Sequence, residues 1–366
     1  MSFEPKPPLR PFAPDKIYGH MDRVKEWLET GKSRPVTYEL DLTNLCGHAC
    51  PHCFGRHPAR DDSHLPRELA LSIIRQIREH GGRGLTFTGG GDPLLSPYAV
   101  EAVRHARSQG LDVGFITNAQ SLDEKTARAL LADCEWLRVS LDAATPEVFR
   151  EIHGMGERQF RKVLDNVRLL CRLKKETGSS CTVGIGFLTS AKTARDIYGF
   201  AVLGRELGVD YAQYRPLLRR LGEPAVDYGD ETVLAEMRRA AALSTESYTV
   251  VSSEHKYALI QKGDLKRNYD KCYGQEFAAV VAADGRMYVC CHMRGMAKYA
   301  LGDLSKETLA EIWNGEKRRR AAAGVDFKDC PPLCRCGSFS WILWNMKENG
   351  ASAAPSREPK DHPNFL

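Results

Sequence analysis

The chain has 366 residues, 42% of them hydrophobic and 27% charged, with a formal net charge of +5. That is the make-up of a soluble globular protein with room for a large domain and a smaller one, not of a disordered chain. The mild positive balance does not argue for nucleic acid, and no apolar run reaches the length of a membrane span.

The opening MSFEPKPPLRPFAPDK is Pro-rich and carries acidic residues, unlike a signal peptide, so the expected compartment is cytoplasmic. From Val36 to about Leu218 strand and helix patterns alternate. A buried strand is expected over 36–42 (VTYELDL), an amphipathic helix over 67–81, and a strand over 84–91 that runs into a Gly-rich turn. A helix over 97–109 precedes a strand over 111–117, and a helix over 122–132 precedes one over 136–142. Helices over 158–176 and 192–207 precede strands over 181–188 and 209–218. These six β/α units predict an α/β fold with a parallel sheet, in the form of a partial (β/α)6 TIM-like barrel. In such folds chemistry gathers at the carboxyl ends of the strands, where the notable loops of this chain lie. The expected organisation is an N-terminal extension (1–35), the core (36–218), a helical linker (219–268), a small cysteine-rich domain (269–346) with short strands around 278–282 and 286–290, and a loose tail (347–366).

Twelve cysteines are many for a protein in a reducing compartment, where an excess points to metal or redox chemistry. Cys134, Cys171 and Cys181 stand in apolar helix or strand contexts and read as packing residues. Cys46, Cys50 and Cys53 follow the first strand with the spacing C-x3-C-x2-C. Three thiolates on one short loop can hold three irons of a [4Fe–4S] cluster and leave the fourth iron open. The alternative is zinc, with His48 and His52 available inside the loop, although no partner cysteine pair follows locally.

This loop resembles the signature of the radical S-adenosylmethionine (SAM) enzymes, in which the open iron chelates the amino and carboxylate groups of SAM. The resemblance extends along the chain. Gly89, Gly90, Gly91 and Asp92 match the family's "GGE" turn, whose backbone meets the SAM amino group, with Asp92 in place of the usual Glu. His52 stands where the family prefers an aromatic ring beside adenine. Asn118 and Ser140 match positions that face the SAM ribose and carboxylate, and Gly186, in Gly184-Ile185-Gly186, matches the adenine-side strand.

The C-terminal cysteines resemble SPASM and twitch domains, which add auxiliary Fe–S clusters. Cys272 and Cys290 are spaced as the opening of such a domain, with Gly285 between them, and LGDLSKETLAEIWNGEK follows. The late group is Cys330, Cys334 and Cys336, fewer than a full SPASM domain carries. That implies the twitch form with one auxiliary [4Fe–4S] cluster, held by Cys272, Cys290 and two of the late three; zinc is the alternative here too. Cys291 is left over, and in radical SAM epimerases such a cysteine quenches the substrate radical. Arg215, at the end of the sixth strand, is a candidate to orient or deprotonate a substrate hydroxyl, against an ordinary salt bridge.

The expected function is therefore radical SAM chemistry: hydrogen abstraction from a hydroxyl-rich small molecule of sugar or aminocyclitol type, leading to dehydrogenation or epimerisation in natural-product biosynthesis. The alternative substrate is a peptide, modified by thioether formation, crosslinking or epimerisation. The 45 residues before Cys46 are too few for a leader-binding domain of about 80 residues, which leans the expectation to the small molecule. Flavodoxin or ferredoxin is the electron donor the family implies. A non-catalytic Fe–S electron carrier is a third reading, disfavoured because a carrier needs neither an open iron nor the GGE-like turn.

Overall fold

The computed structural model describes residues 13–55, 62–218, 223–229, 231–350 and 361–366. In chain order a 3-10 turn, Pro14–His20, leads into α1 (Met21–Thr30) and β1 (Thr37–Asp41). Next come α2 (Arg67–Glu79), β2 (Gly84–Thr88), α3 (Ala99–Ser108), β3 (Asp112–Thr117), α4 (Glu124–Asp133) and β4 (Trp136–Ser140). Then follow α5 (Pro146–His153), α6 (Glu157–Thr177), β5 (Thr182–Thr189), α7 (Ile197–Leu207), β6 (Tyr211–Pro216), α8 (Glu231–Ala241), β7 (Thr249–Ser252) and α9 (Glu254–Gln261). The remainder is β8 (Ala278–Val281), β9 (Arg286–Tyr288), β10 (Ala300–Asp303), α10 (Leu309–Asn314), α11 (Glu316–Ala323) and α12 (Gly337–Glu348).

The chain divides into two compact units. One holds Gly47–His52 and Ile116–Asp264. Within it β4, β5, β6 and β7 pair in parallel, with Ser140 opposite Gly186 and Gly186 opposite Gln213. The helices between these strands stop where the sequence directs. Thr145 caps α5 by accepting from the Val148 amide, with Pro146 in the first turn. Gly154, Gly178 and Gly208 end α5, α6 and α7 in the left-handed region. Gly184 has a tertiary reason as well: the Tyr211 ring lies where its Cβ would stand.

The other unit contains the described residues up to Cys46, Cys53–Phe115 and Leu265–Leu366. Its strands run in the order β10, β9, β8, β1, β2, β3. β8 lies parallel to β1, and β9 and β10 fold back antiparallel. β1 is buried along its whole length, so alternation places Tyr38 and Leu40 on one face and the acids Glu39 and Asp41 on the other.

Several expected boundaries change. Residues 13–35 are not a separate extension. Val24 and Trp27 of α1 pack with Tyr273, Phe277, Phe339 and Leu343 of the cysteine-rich segment, Trp27 meeting Tyr273 edge-on at 4.9 Å. The expected linker supplies β7, which extends the strands of the first unit beyond β6. The expected loose tail divides in three. α12 continues to Glu348, residues 351–360 lie outside the described residues, and the last residues are held: Lys16 Nζ donates to the carbonyls of His362 (2.9 Å) and Phe365 (3.1 Å). Apolar Phe365, 8% exposed, is the physical reason for that docking.

Candidate functional site

The cysteine loop passes from one unit to the other, Cys46 and Cys53 belonging to one and Gly47–His52 to the other. All three loop cysteines are half-buried and in no disulfide. Within Gly47–His52, Cys50 Sγ lies 3.2 Å from His153 Nδ1, and His48 Nδ1 lies 3.3 Å from the same nitrogen. His153 is buried, and its Nε2 is 2.9 Å from the Leu141 carbonyl. A carbonyl only accepts, so Nε2 carries the proton and Nδ1 turns its lone pair toward the Cys50 thiol. Burial holds the His153 pKa down at about 3, and burial lowers His48 too. These three residues present ligand atoms within 4.8 Å of one another, so His153, from α5, joins His48 beside the Cys50 thiol. The signal was the HG pair that ends α5.

The strand ends of the same unit carry the other expected SAM-facing positions. Asn118 closes an Asx turn, its Oδ1 accepting from the Gln120 amide at 2.8 Å, and Ala119 between them has φ 57°. Ser140 is half-buried at the end of β4 and pairs with Gly186. Beyond it Asp142 has φ 52°, and its amide donates to the Gly186 carbonyl at 2.9 Å. Burial raises the Asp142 pKa, opposed by the charges of His52, Arg215 and Arg138. Arg138, which the sequence reading passed over, is buried, with Nη1 donating to Gln213 Oε1 at 3.0 Å. Burial lowers the Arg215 pKa, opposed by the charge of Asp142, and its cationic form makes it a poor base.

In the other unit the triple-glycine turn packs on β1. A Cβ on Gly89, at φ 142°, would stand 2.5 Å from Asp41 Cγ, and side chains on Gly90 and Gly91 would strike Asn44 and the Leu45 carbonyl. The Gly90 amide donates to Asp41 Oδ2 at 3.1 Å. Asp92 caps the turn that follows, Oδ1 accepting from the Leu94 amide at 2.9 Å, while its own amide donates to Leu45 at 2.8 Å. Asp41 and Glu39 were missed, although two acids in a strand buried on both faces are a legible signal. Their partner comes from 250 residues downstream: Arg294 meets Asp41 Oδ2 through Nε at 2.7 Å and Glu39 Oε2 through Nη2 at 2.6 Å. Arg335, between Cys334 and Cys336, also pairs with Glu39. Burial raises the Asp41 pKa to about 6, with Arg294 opposing.

The C-terminal cysteines converge. Each of Cys272, Cys290 and Cys336 has its thiol pKa pushed up, first by burial and then by neighbouring cysteines. Cys334 acts on both Cys272 and Cys336, Cys272 acts on Cys336, and Cys290 feels Cys291, Cys336 and Cys272. Cys330 is pushed up to about 12 and feels Cys334 and Cys272. Thiols that influence one another in this way fit a metal–sulfur centre, where a bound cation would stabilise their thiolate forms. Ser340 Oγ accepts from the amides of Tyr273 (2.9 Å) and Gly274 (3.2 Å), fixing the segment after Cys272 against α12. Cys291 is half-buried, with its carbonyl accepting from Arg294 at 3.0 Å; its thiol is raised by burial and feels Arg294, Cys334 and Asp41.

The comparisons agree with this geometry. Residues 40–196 match the model of the radical SAM superfamily, and residues 272–337 match that of the SPASM iron–sulfur cluster-binding domain. The chain is 33% identical to mycofactocin maturase MftC of Mycobacterium ulcerans over 135 residues, which are 37% of this chain and only 36% of that protein. It is 27% identical to the PqqA peptide cyclase of Gluconobacter oxydans over 83% of this chain and 82% of that one. Among solved structures, Streptococcus suis SuiB bound to precursor peptide SuiA superposes with a TM-score of 0.64 at 15% identity, covering 88% of this chain and 74% of the other. Native anSMEcpe with bound AdoMet gives 0.60 at 15% identity, covering 86% and 97%. A SAM-binding [4Fe–4S] cluster and auxiliary Fe–S ligation are thus implied, and the chain carries a radical SAM domain and a C-terminal SPASM-type iron–sulfur domain.

Proposed function

We propose that this enzyme modifies a peptide, as a radical SAM maturase of a short precursor. The observation that carries this reading is the similarity to the PqqA peptide cyclase along more than four-fifths of both chains. The expectation of a sugar or aminocyclitol substrate gives way, since it leaned on the short segment before Cys46, and the peptide-acting relatives outweigh that lean. Cys46, Cys50 and Cys53 are the residues that would hold the SAM-site cluster, and Cys272, Cys290, Cys334 and Cys336 those that would hold one auxiliary cluster. The influence of Cys334 on Cys272 and of Cys336 on Cys290 supports choosing Cys334 and Cys336 from the late group. When bound, the cluster and SAM supply a 5′-deoxyadenosyl radical for hydrogen abstraction from the substrate.

This chain's own residues would position the parts. The backbone carbonyls of the Gly89–Gly91 turn would accept from the SAM amino group, with Asp41 fixing the Gly90 amide from behind. Asn118, Ser140, Gly186 and His52 would border the ribose and adenine. The electron donor would be a flavodoxin or ferredoxin. The test is anaerobic reconstitution with SAM, a reductant and short peptides encoded beside the gene, deuterated at candidate carbons. Deuterium in 5′-deoxyadenosine, with a changed peptide mass, is the expected result. Deuterium transfer from a labelled aminocyclitol and from none of the peptides would return the reading to a small molecule.

A further inference from the structure

We propose that Arg294, supplied by the cysteine-rich C-terminal segment, is a positioning residue for SAM binding: by clamping Asp41 it sets the triple-glycine turn. This rests on the reading of that turn as the place of the SAM amino group. Arg294, Asp41 and the turn all belong to one compact unit.

The turn begins where β2 ends, with Thr88 opposite Asp41 of β1. Three successive amides are drawn toward the end of β1 and the residues after it. Gly90 donates to Asp41 Oδ2 at 3.1 Å, Gly91 to the Thr43 carbonyl at 3.0 Å and Asp92 to the Leu45 carbonyl at 2.8 Å. The peptide bonds of the described residues are trans, and in a trans unit the N–H and the C=O point opposite ways. Holding these amides therefore turns the carbonyls of Gly89, Gly90 and Gly91 to the other side, as the acceptors an ammonium group requires. Two of the three amides are held by backbone carbonyls. The first, which orients the Gly89 carbonyl, is held by a side chain, and a side chain has rotamers to choose from.

Arg294 removes that choice. It meets the Asp41 carboxylate at two points, Nε to Oδ2 at 2.7 Å and Nη2 to Oδ1 at 3.0 Å. Two-point pairing fixes the plane of a carboxylate as well as its place. The guanidinium is itself anchored. Arg294 follows the 3-10 turn Cys291–Met293 and precedes Gly295, at φ 75°, so the chain doubles back and Nη1 donates to the Cys291 carbonyl at 3.0 Å. Nη2 also reaches Glu39 Oε2 at 2.6 Å, and Glu39 pairs with Arg335, between Cys334 and Cys336. A buried ion pair adds little stability over apolar residues of the same volume, so what it adds here is orientation. The segment that matches the SPASM domain thus steadies the turn that follows β2.

The experiment uses the full chain, reconstituted anaerobically with iron and sulfide, and reads SAM affinity by calorimetry beside iron content. Arg294→Met is expected to weaken SAM binding about tenfold while iron content stays at the wild-type level. Asp41→Ala is expected to do the same, and adding Arg294→Met to it should cost less than about twofold more, because Arg294 acts through Asp41. A general loss of stability would instead multiply the two losses. Should Arg294→Met fail to fold, Arg294→Lys keeps the charge but cannot grip both oxygens of Asp41, and should weaken SAM binding about threefold. Unchanged SAM affinity in the Arg294 variants, losses that multiply in the double variant, or a loss of iron in step with the loss of SAM overturns the proposal. Gly90→Val, whose Cβ would stand 2.1 Å from Asn44 Oδ1, tests the turn itself. If it loses SAM affinity and the Arg294 variants do not, the turn keeps its role and Arg294 loses its own. If it binds SAM as the wild type does, the reading of the turn falls and the role of Arg294 falls with it.

Discussion

Arg294 bridges two buried carboxylates of one strand, and one of them, Asp41, accepts from the triple-glycine turn. Removing one partner of such a group leaves an uncompensated buried charge. Arg294→Met should therefore destabilise the protein by about 3–5 kcal/mol at neutral or higher pH. The sign of the pH dependence follows from Asp41. Its folded pKa, about 6, lies above the ordinary 3.8, so its contribution is fully present below the ordinary value and is lost as pH rises through 6. Without the guanidinium the folded value rises further, so the loss extends to higher pH. The thermal midpoint of Arg294→Met should fall more at about pH 8 than at about pH 5.5, and Asp41→Asn added to it should flatten that difference. Cys291 poses a separate test. Its thiol faces the Asp41–Arg294 pair as well as Cys334, and the proposed ligand set does not need it. Cys291→Ala should leave the iron content unchanged. If the reaction epimerises, 5′-deoxyadenosine should persist while product falls, and wild-type product formed in heavy water should carry one solvent deuterium. Full turnover in the variant would remove the donor role.

At the scale of elements, the auxiliary thiols come from three separate segments: the approach to β8, the end of the β8–β9 hairpin, and the entry to α12. No segment can assemble the centre alone, so its ligation depends on how β8 docks against β1. Reconstituted wild type should hold about eight irons, and Cys272→Ala with Cys290→Ala should hold about four while still cleaving SAM. A count of about four in wild type, or stoichiometric zinc in natively purified protein, would refute the single auxiliary [4Fe–4S] cluster. The β/α alternation from β1 to β6 was legible because each strand is a short apolar run and each helix a 3.6-residue stripe with its own stop. β7 was not, since TVVS is too short to stand out from a helical stretch until β6 offers it a parallel edge. α1 was hidden behind a Pro-rich opening, and only its contact with Tyr273 and Phe277 gives its apolar stripe a purpose.

For the molecule as a whole, cluster ligation and stability should be coupled. A bound cation stabilises the thiolate forms of its ligands and adds its own binding free energy to that of folding. The reconstituted chain should melt at a higher temperature than the iron-free chain, and the double variant of Cys272 and Cys290 should lose most of the gain. An equal gain in that variant would move the stabilising role to the SAM-site loop. No helix among the described residues is long and apolar enough to cross a membrane.

The sequence by itself determined the chemistry. A C-x3-C-x2-C loop after a strand, a glycine turn after the next and a late set of cysteines were enough, because metal ligation and close backbone approach demand particular residues at particular spacings. It also determined the parallel order of the core strands through hydrophobic period. Tertiary structure decided what lies beside those motifs. His153 reaches Cys50 from a helix 103 residues away, Arg294 reaches Asp41 across 253, and Arg138 reaches Gln213 only once β4, β5 and β6 are in register. Charge pairing across such separations leaves no period or spacing in the chain, since it is the register of paired strands and the docking of distant segments that bring the groups together.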